Sequence, residues 1–216
     1  MKDIAIYGAG GFGKEVACLI NKINEQEPTW HIIGFFDDNT ELKSTMISHY
    51  GPCLGGIDEL NAWKKPLAVT IPIGNPEDVK SVFSKIKNEK IYFPNLVMTD
   101  FKMADPKSFN IGKGNIIQGG CSVSCDVELG DFNVLNGSVA FGHDAKVGNF
   151  NSFMPGVTIS GSVTIGHENF FGVGSIVLQQ LKIGNNVRLG AGSVLMTKPK
   201  DGNLYIGNPA AKFRFK

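Results

Sequence analysis

The chain reads as a small parallel α/β domain followed by a parallel β-helix. Three observations give that reading. Strand and helix signals alternate from the N-terminus to about residue 95, a glycine-rich turn joins the first strand to the first helix, and from Ile111 onward an apolar residue recurs every six positions. The domain boundaries that follow are 1–95 and 96–216.

The first domain is built in order. "DIAIYGAG" is a buried strand running into a glycine turn, and "GKEVACLINKI" carries apolar residues at helical spacing. "HIIGFFDDN" is a second strand ending in acids, "GIDELNAW" a short helix and "LAVTIPIGN" a third strand. "PEDVKSVFSKIKN" is a helix opened by Pro76, with Glu77 and Asp78 in its first turn, where a carboxylate meets the positive end of the helix dipole. Strands alternating with helices predict a parallel sheet with helices packed on it.

Within this domain Gly8, Gly10 and Gly13 fit G-x-G-x-x-G, placed after a strand and before a helix. Glycines let the backbone approach a diphosphate while the helix N-terminus supplies amide donors. Asp37 follows Gly13 at the end of the second strand, where an acid accepts from a ribose or a base. The motif alone does not fix the nucleotide, and it also occurs as a plain strand-to-helix turn. A nicotinamide-dependent oxidoreductase would need further strands and a catalytic domain, and the chain changes character instead.

The second domain carries the stronger signal. Ile111, Ile117, Val123, Leu129, Leu135, Phe141, Val147, Phe153, Ile159, Ile165, Phe171, Val177, Ile183, Leu189 and Leu195 lie six apart, and all are apolar. Fifteen such matches in succession arise by chance on the order of once in a million, so this is a hexapeptide repeat. Ile-Gly or its equivalent recurs at 111, 129, 147, 165 and 183, which makes eighteen residues one coil of three flat faces. Asn115, Asn133, Asn151 and Asn169 fall at one point of four successive coils, where their amides can hydrogen-bond from coil to coil.

Coils of a parallel β-helix stack about 4.8 Å apart, so His143 lies between Cys125 and Gly161. It follows Gly142 at a corner and points away from the core. An outward histidine is often a solvated one, but two neighbours change the reading here. Asp144 can accept from one ring nitrogen and leave the other as a base, and Gly161 leaves its amide open with space for a substrate. A base beside an amide donor suits acyl transfer. His167, one coil and one face further on, sits on a different side and reads as a bystander or interface residue. With four histidines, two of them in the first domain, no metal site is expected.

From Lys182 to Lys216 the chain has seven basic residues, including Arg188, Lys198, Lys200, Lys212 and Arg214, against the single acid Asp201. A charge of about +6 suits either a solvated tail or the phosphates of coenzyme A. The net charge of +1 over the whole chain and the lack of a long basic run argue against nucleic acid as partner. No run of about 18 apolar residues is present to insert in a membrane, and the N-terminus lacks a signal-peptide pattern. Cys18, Cys53, Cys121 and Cys125 show neither metal-site nor disulfide spacing, so they read as packing residues of a cytoplasmic protein.

Taken together the two halves resemble the NeuD/PglD type of sugar acetyltransferase, over almost the whole chain. The resemblance implies a Rossmann-like domain holding a nucleotide-sugar, then a left-handed β-helix binding acetyl-CoA as acyl donor. The left hand comes from the resemblance, since the crossover rule favours the right. "YGAGGFGKEV", "FFDDN" and "IGNPEDV" stand where that family contacts the nucleotide, which assigns Gly8, Gly10, Gly11, Phe12, Gly13, Asp37, Asp38, Gly74 and Asn75 to substrate. "LNGSVAFGHDAKVG" stands where it carries an asparagine followed by a His-acid pair. This implies His143 as general base, Asp144 as its orienting partner, Gly161 as amide donor to the thioester carbonyl and Asn136 as a substrate contact. "YIGNPAAKF" is similar to the segment that wraps the coenzyme in such enzymes, and with Lys198 it assigns Gly207, Pro209, Ala210 and Lys212 to coenzyme binding, beside Gly161. Ser152 stands where many relatives carry a further histidine. The function implied is N-acetylation of a nucleotide-linked amino sugar at its 4-amine. O-acetylation of the sialic acid type and a non-catalytic nucleotide-binding β-helix are the alternatives. A homotrimer is implied as well, with Phe150, Phe170 and Met154 as candidate contacts.

Overall fold

In the computed structural model, which describes residues 1–213, the chain divides into two compact units, Met1–Thr99 and Asp100–Lys216. In the first unit β1 (Lys2–Tyr7) leads into α1 (Gly11–Gln26) and β2 (Trp30–Phe36). A small antiparallel pair, β3 (Met46–Ile47) and β4 (Gly51–Pro52), precedes α2 (Ile57–Asn61), β5 (Leu67–Thr70), α3 (Pro76–Lys85) and β6 (Ile91–Tyr92). The four longer-range partners form one parallel sheet in the order β2-β1-β5-β6. Ile4, Ala5 and Ile6 of β1 are fully buried, and α1 covers the sheet with Val16, Ala17, Leu19 and Ile20, the residues that gave it helical spacing. The chain runs outward from β1 to β2 and then returns past β1 to β5. The strand order therefore reverses between β1 and β5, the point where sheets of this kind open a crevice for ligands. β6 adds a fourth strand to the three that the sequence pattern shows, and at two residues it is too short to display a period.

In the second unit every strand of the repeat is two residues long, and its second residue points inward. Pairing is parallel with an offset of eighteen: Val123 to Phe141, Phe141 to Ile159, Ile159 to Val177 and Val177 to Leu195 on one face. The other two faces repeat the pattern. Fourteen of the fifteen repeat residues are buried, and only Ile111, in the first coil, is half-buried. Phe153 stacks on Phe171 at 4.7 Å with rings nearly parallel.

The corners are closed by side chains. Asn115, Asn133, Asn151 and Asn169 have no exposed surface, and each carboxamide oxygen accepts from the backbone N–H one coil on, at 2.8–2.9 Å. The run ends at Val187, whose N–H is satisfied by Asn169 although it has no amide to pass on. This is the coil-to-coil bonding the asparagine spacing predicts, with the backbone amide as the main partner. After the last coil Leu204–Ile206 continues one face beside Arg188–Leu189, then turns back antiparallel against Ala211–Lys212.

Candidate active site

His143 sits at the corner after the strand Ala140–Phe141, and the corner is what builds the pair. Asp144 has φ +57, a left-handed turn that folds its side chain back onto the residue before it. Its Oδ2 lies 2.6 Å from His143 Nδ1. A carboxylate only accepts, so Nδ1 carries the hydrogen and Nε2 presents its lone pair. The corner is fixed to both neighbouring coils, since Asp144 N donates to the Cys125 carbonyl at 3.1 Å and Ser162 N to the His143 carbonyl at 2.7 Å. Both side chains remain about 60% exposed.

Gly161 stands one coil on, as the register predicts, but its missing side chain is used differently from the sequence reading. A Cβ there would lie 2.6 Å from His143 Nε2, so the imidazole itself occupies the space a side chain would take. The glycine leaves room for the ring beside it, with Nε2, Cε1 and Cδ2 all within 3.0 Å of that Cβ position. The Gly161 nitrogen also lies close above Gly142, where a Cβ would come within 2.6 Å of it.

In the first unit the glycine loop follows β1. Gly8 takes φ +122, and a Cβ on Gly13 would collide with the Gly8 carbonyl, so these two glycines serve the turn and the close approach of α1 to β1. Gly10, Gly11 and Gly74 have open space where a side chain would be. α1 begins at Gly11 with Gly10 as its cap and no side chain accepting from its first amides, which leaves donors facing outward with half-buried Phe12 beside them. Lys14 adds a positive charge in the first turn, unfavourable against the helix dipole unless an anion sits there. The loop after β5 lies alongside, Pro72 O being 3.6 Å from the Cβ position of Gly8, and it ends at Asn75, the cap position of α3.

Residues 3–86 match the PglD N-terminal domain family. Among solved structures the chain is similar to the acetyltransferase domain of PglB from Neisseria gonorrhoeae in complex with acetyl coenzyme A, with 28% identity over 98% of this chain and 99% of that one and a TM-score of 0.85. WeeI from Acinetobacter baumannii is 25% identical over 99% and 100% of the two chains, with a TM-score of 0.86. PerB from Caulobacter crescentus, in complex with CoA and GDP-perosamine, shares the fold at 20% identity, 99% and 98% coverage and a TM-score of 0.76. No curated protein sequence matches the chain. Over nearly its whole length the chain is thus similar to sugar acetyltransferases of the NeuD/PglD type. Its fold is accordingly a Rossmann-like α/β domain followed by a left-handed parallel β-helix.

Other residues assigned from the NeuD/PglD resemblance fall as follows. Asn136 is half-buried at the corner after Val134–Leu135, one face of the prism away from the corner of His143, with Nδ2 3.7 Å from Met154 Sδ. One copy of the solenoid therefore does not set Asn136 and His143 at the same corner. Ser152 is 1% exposed. Gly207 has φ +107, the Asn208–Pro209 bond is cis, and Ala210 N donates to the Val194 carbonyl. This pins the "GNPA" turn to the last coil and leaves Lys212 exposed beside it, with Lys198 exposed on the preceding segment. Arg214 and Lys216 lie outside the described residues. Phe150, Phe170 and Met154 are each half-buried; Phe150 stacks on Phe132 at 5.3 Å, and the Arg188 guanidinium lies 5.6 Å from the centre of the Phe170 ring.

His167 is not a bystander: its Nδ1 accepts from Asn149 N at 2.9 Å, one rung of a second ladder in which Asp131, Asn149 and Asn185 do the same for the coil before each. Of the cysteines, Cys53 and Cys121 pack in the interior, and burial pushes the Cys121 thiol up to about 11. Cys18 is instead exposed, with Sγ 2.9 Å from Tyr50 Oη. Among the described residues no three His, Cys, Asp or Glu side chains are placed to hold a metal ion, and no helix is long and apolar enough to cross a membrane.

Proposed function

We propose that the chain transfers the acetyl group of acetyl-CoA to an amino group, the 4-amine, of a nucleotide-linked amino sugar. The observation that carries this reading is the His143–Asp144 pair with Nε2 in the space that a side chain on Gly161 would fill. The amine nitrogen attacks the thioester carbonyl carbon while Nε2 takes an amine proton. The Gly161 N–H donates to the carbonyl oxygen as it gains negative charge, and Asp144 supports the positive charge on the ring. When the carbon–sulfur bond breaks, the sulfur takes that proton from the imidazolium, giving free coenzyme A and an amide.

Acetyl-CoA as donor is supported by the PglB acetyltransferase domain, whose structure contains it. Lys198, Gly207, Pro209, Ala210 and Lys212 would hold the coenzyme, with the exposed lysines meeting its phosphates. The open glycines Gly10, Gly11 and Gly74 and the free first turn of α1 support a nucleotide diphosphate in the first unit, with Gly8 and Gly13 shaping its loop and Phe12, Asp37, Asp38 and Asn75 around it. The working unit is a homotrimer. In one solenoid His143 lies on an exposed corner, and Val173, Ile176 and Met196 leave apolar surface in water, which supports burial of these faces between copies. The free thiols of Cys18, Cys53, Cys121 and Cys125 support the cytoplasm as the enzyme's compartment. The test is a panel of nucleotide-linked 4-amino sugars with acetyl-CoA and a thiol reagent. Thiol release dependent on one of them supports the reading, and release with hydroxyl acceptors only would replace it with O-acetylation.

A further inference from the structure

The two acids after β2 stand side by side in sequence, and the resemblance assigns both to the nucleotide. The structure gives them different work. Asp37 turns inward to the protein: Oδ2 accepts from Ala9 N at 2.8 Å, Oδ1 from Asn39 N at 2.9 Å, and its own N–H donates to the Gly55 carbonyl at 2.8 Å. It holds the glycine loop in place from behind.

Asp38 is arranged the opposite way. Its Oδ1 accepts from the Tyr7 hydroxyl at 2.5 Å and from Ile57 N at 3.2 Å, which uses that oxygen on the protein. Its Oδ2 is 4.0 Å from Lys85 Nζ, and the side chain is half exposed. It forms part of the wall of a cleft of about 300 Å³ with Asp37, Thr40, Gly56, Ile57 and Asp58, just past the ends of β2 and β4; of the two acids only Asp38 has a carboxylate oxygen not already accepting from a backbone amide. Tyr7 is the last residue of β1 and only 3% exposed. A buried tyrosine hydroxyl needs a partner, and this one reaches across to the neighbouring strand's end to find it.

We infer that Tyr7 is a positioning residue for the nucleotide-sugar. It clamps one oxygen of Asp38 so that the other is presented to a hydrogen-bond donor of the nucleoside, a ribose hydroxyl or a base N–H. The inference rests on the nucleotide-sugar reading above and deepens it. Burial and the neighbouring carboxylate of Asp38 both push the Tyr7 hydroxyl upward, so it stays a donor throughout the working pH range. Without the clamp a half-exposed carboxylate samples several rotamers, and a ligand must then order it on binding.

The experiment is calorimetric binding of UDP, GDP and dTDP, and of the 2′-deoxy forms of the first two, to the full chain without turnover. Tyr7→Phe removes one oxygen and keeps the ring, and a thermal melt checks that the fold is retained. The best wild-type ligand should bind Tyr7→Phe about tenfold more weakly, with Asp38→Asn weakened to a similar degree and acetyl-CoA binding unaffected. Because Tyr7 acts through Asp38, the double variant should bind no more weakly than Asp38→Asn alone. Loss of the ribose-over-deoxyribose preference in Tyr7→Phe identifies a ribose hydroxyl as the donor, and loss of preference among bases identifies a base N–H. Unchanged binding in Tyr7→Phe, losses that add in full, or equal weakening of acetyl-CoA would overturn the inference while leaving the nucleotide-sugar reading standing. If the wild-type chain binds none of the diphosphates, that reading falls and takes this one with it.

Discussion

Asp144→Asn isolates the charge of the catalytic pair, because asparagine keeps the shape of the side chain and tolerates the left-handed backbone that residue 144 adopts at φ +57. The 2.6 Å separation between Nδ1 and Oδ2 is that of a charge-assisted hydrogen bond. Such a bond contributes about 1.5–3 kcal/mol where both partners are desolvated. Here the two side chains are 60% and 59% exposed, and solvent screening reduces the figure to about 1 kcal/mol. The ring becomes positive only as it takes the amine proton, so the loss falls on the transition state and turnover should drop about fivefold. Removing the base itself, in His143→Ala, should cost about 10²- to 10⁴-fold. The assay is thiol release at saturating acetyl-CoA and amino-sugar nucleotide for both variants and the wild type. An Asp144→Asn turnover equal to wild type, or as low as that of His143→Ala, would refute the orienting role assigned to Asp144.

Gly161→Ala places a methyl group where the His143 ring lies, 2.6 Å from Nε2, so the ring must swing off the stack. Turnover should fall about 100-fold with the fold retained by circular dichroism, and normal turnover would show that ring placement over Gly161 does not matter. Asn151→Ala orphans the Asn169 N–H and removes a donor from the Gly166 carbonyl, both inside the solenoid. At about 1–3 kcal/mol per buried group urea unfolding should show a loss of roughly 3 kcal/mol, against under about 1 for Asn149→Ala at the wetter corner. Equal effects at the two positions would contradict the burial argument. His167→Asn should keep its rung as Asn149 and Asn185 do, while His167→Ala should cost about 1 kcal/mol. Nitrogen NMR should find Nδ1 of His167 without a hydrogen, and a hydrogen there would contradict its role as acceptor.

The solenoid was legible because its cause is periodic. One inward residue in six and one asparagine in eighteen leave a mark that does not depend on what lies far away in the chain, and the stacking of His143 between Cys125 and Gly161 follows from the same count. The α/β domain was legible where strands were long enough to show a pattern, and not at β3, β4 and β6, which are two residues each. Side-chain direction was the part that spacing could not supply. Both Asp37 and Asp38 line the cleft, but they leave the strand end in different directions, and that decides which one spends both carboxylate oxygens on the loop and which one keeps an oxygen off the backbone. The same holds at the corners. Phe132 and Phe150 adopt positive φ, a conformation that phenylalanine alone would not suggest, and the role of His167 depends on which backbone amide its corner points toward it.

The central claim is that His143 serves as the base for acetyl transfer to an amine on a nucleotide-linked sugar. The most direct measurement is mass spectrometry of the nucleotide-sugar after incubation with acetyl-CoA, run in parallel on the wild-type chain and a folded His143→Ala variant. The account predicts one acetyl group on the sugar amine, matched by one equivalent of free coenzyme A, and product formation slowed about 10²- to 10⁴-fold in the variant. Product formed at the wild-type rate by His143→Ala would contradict it.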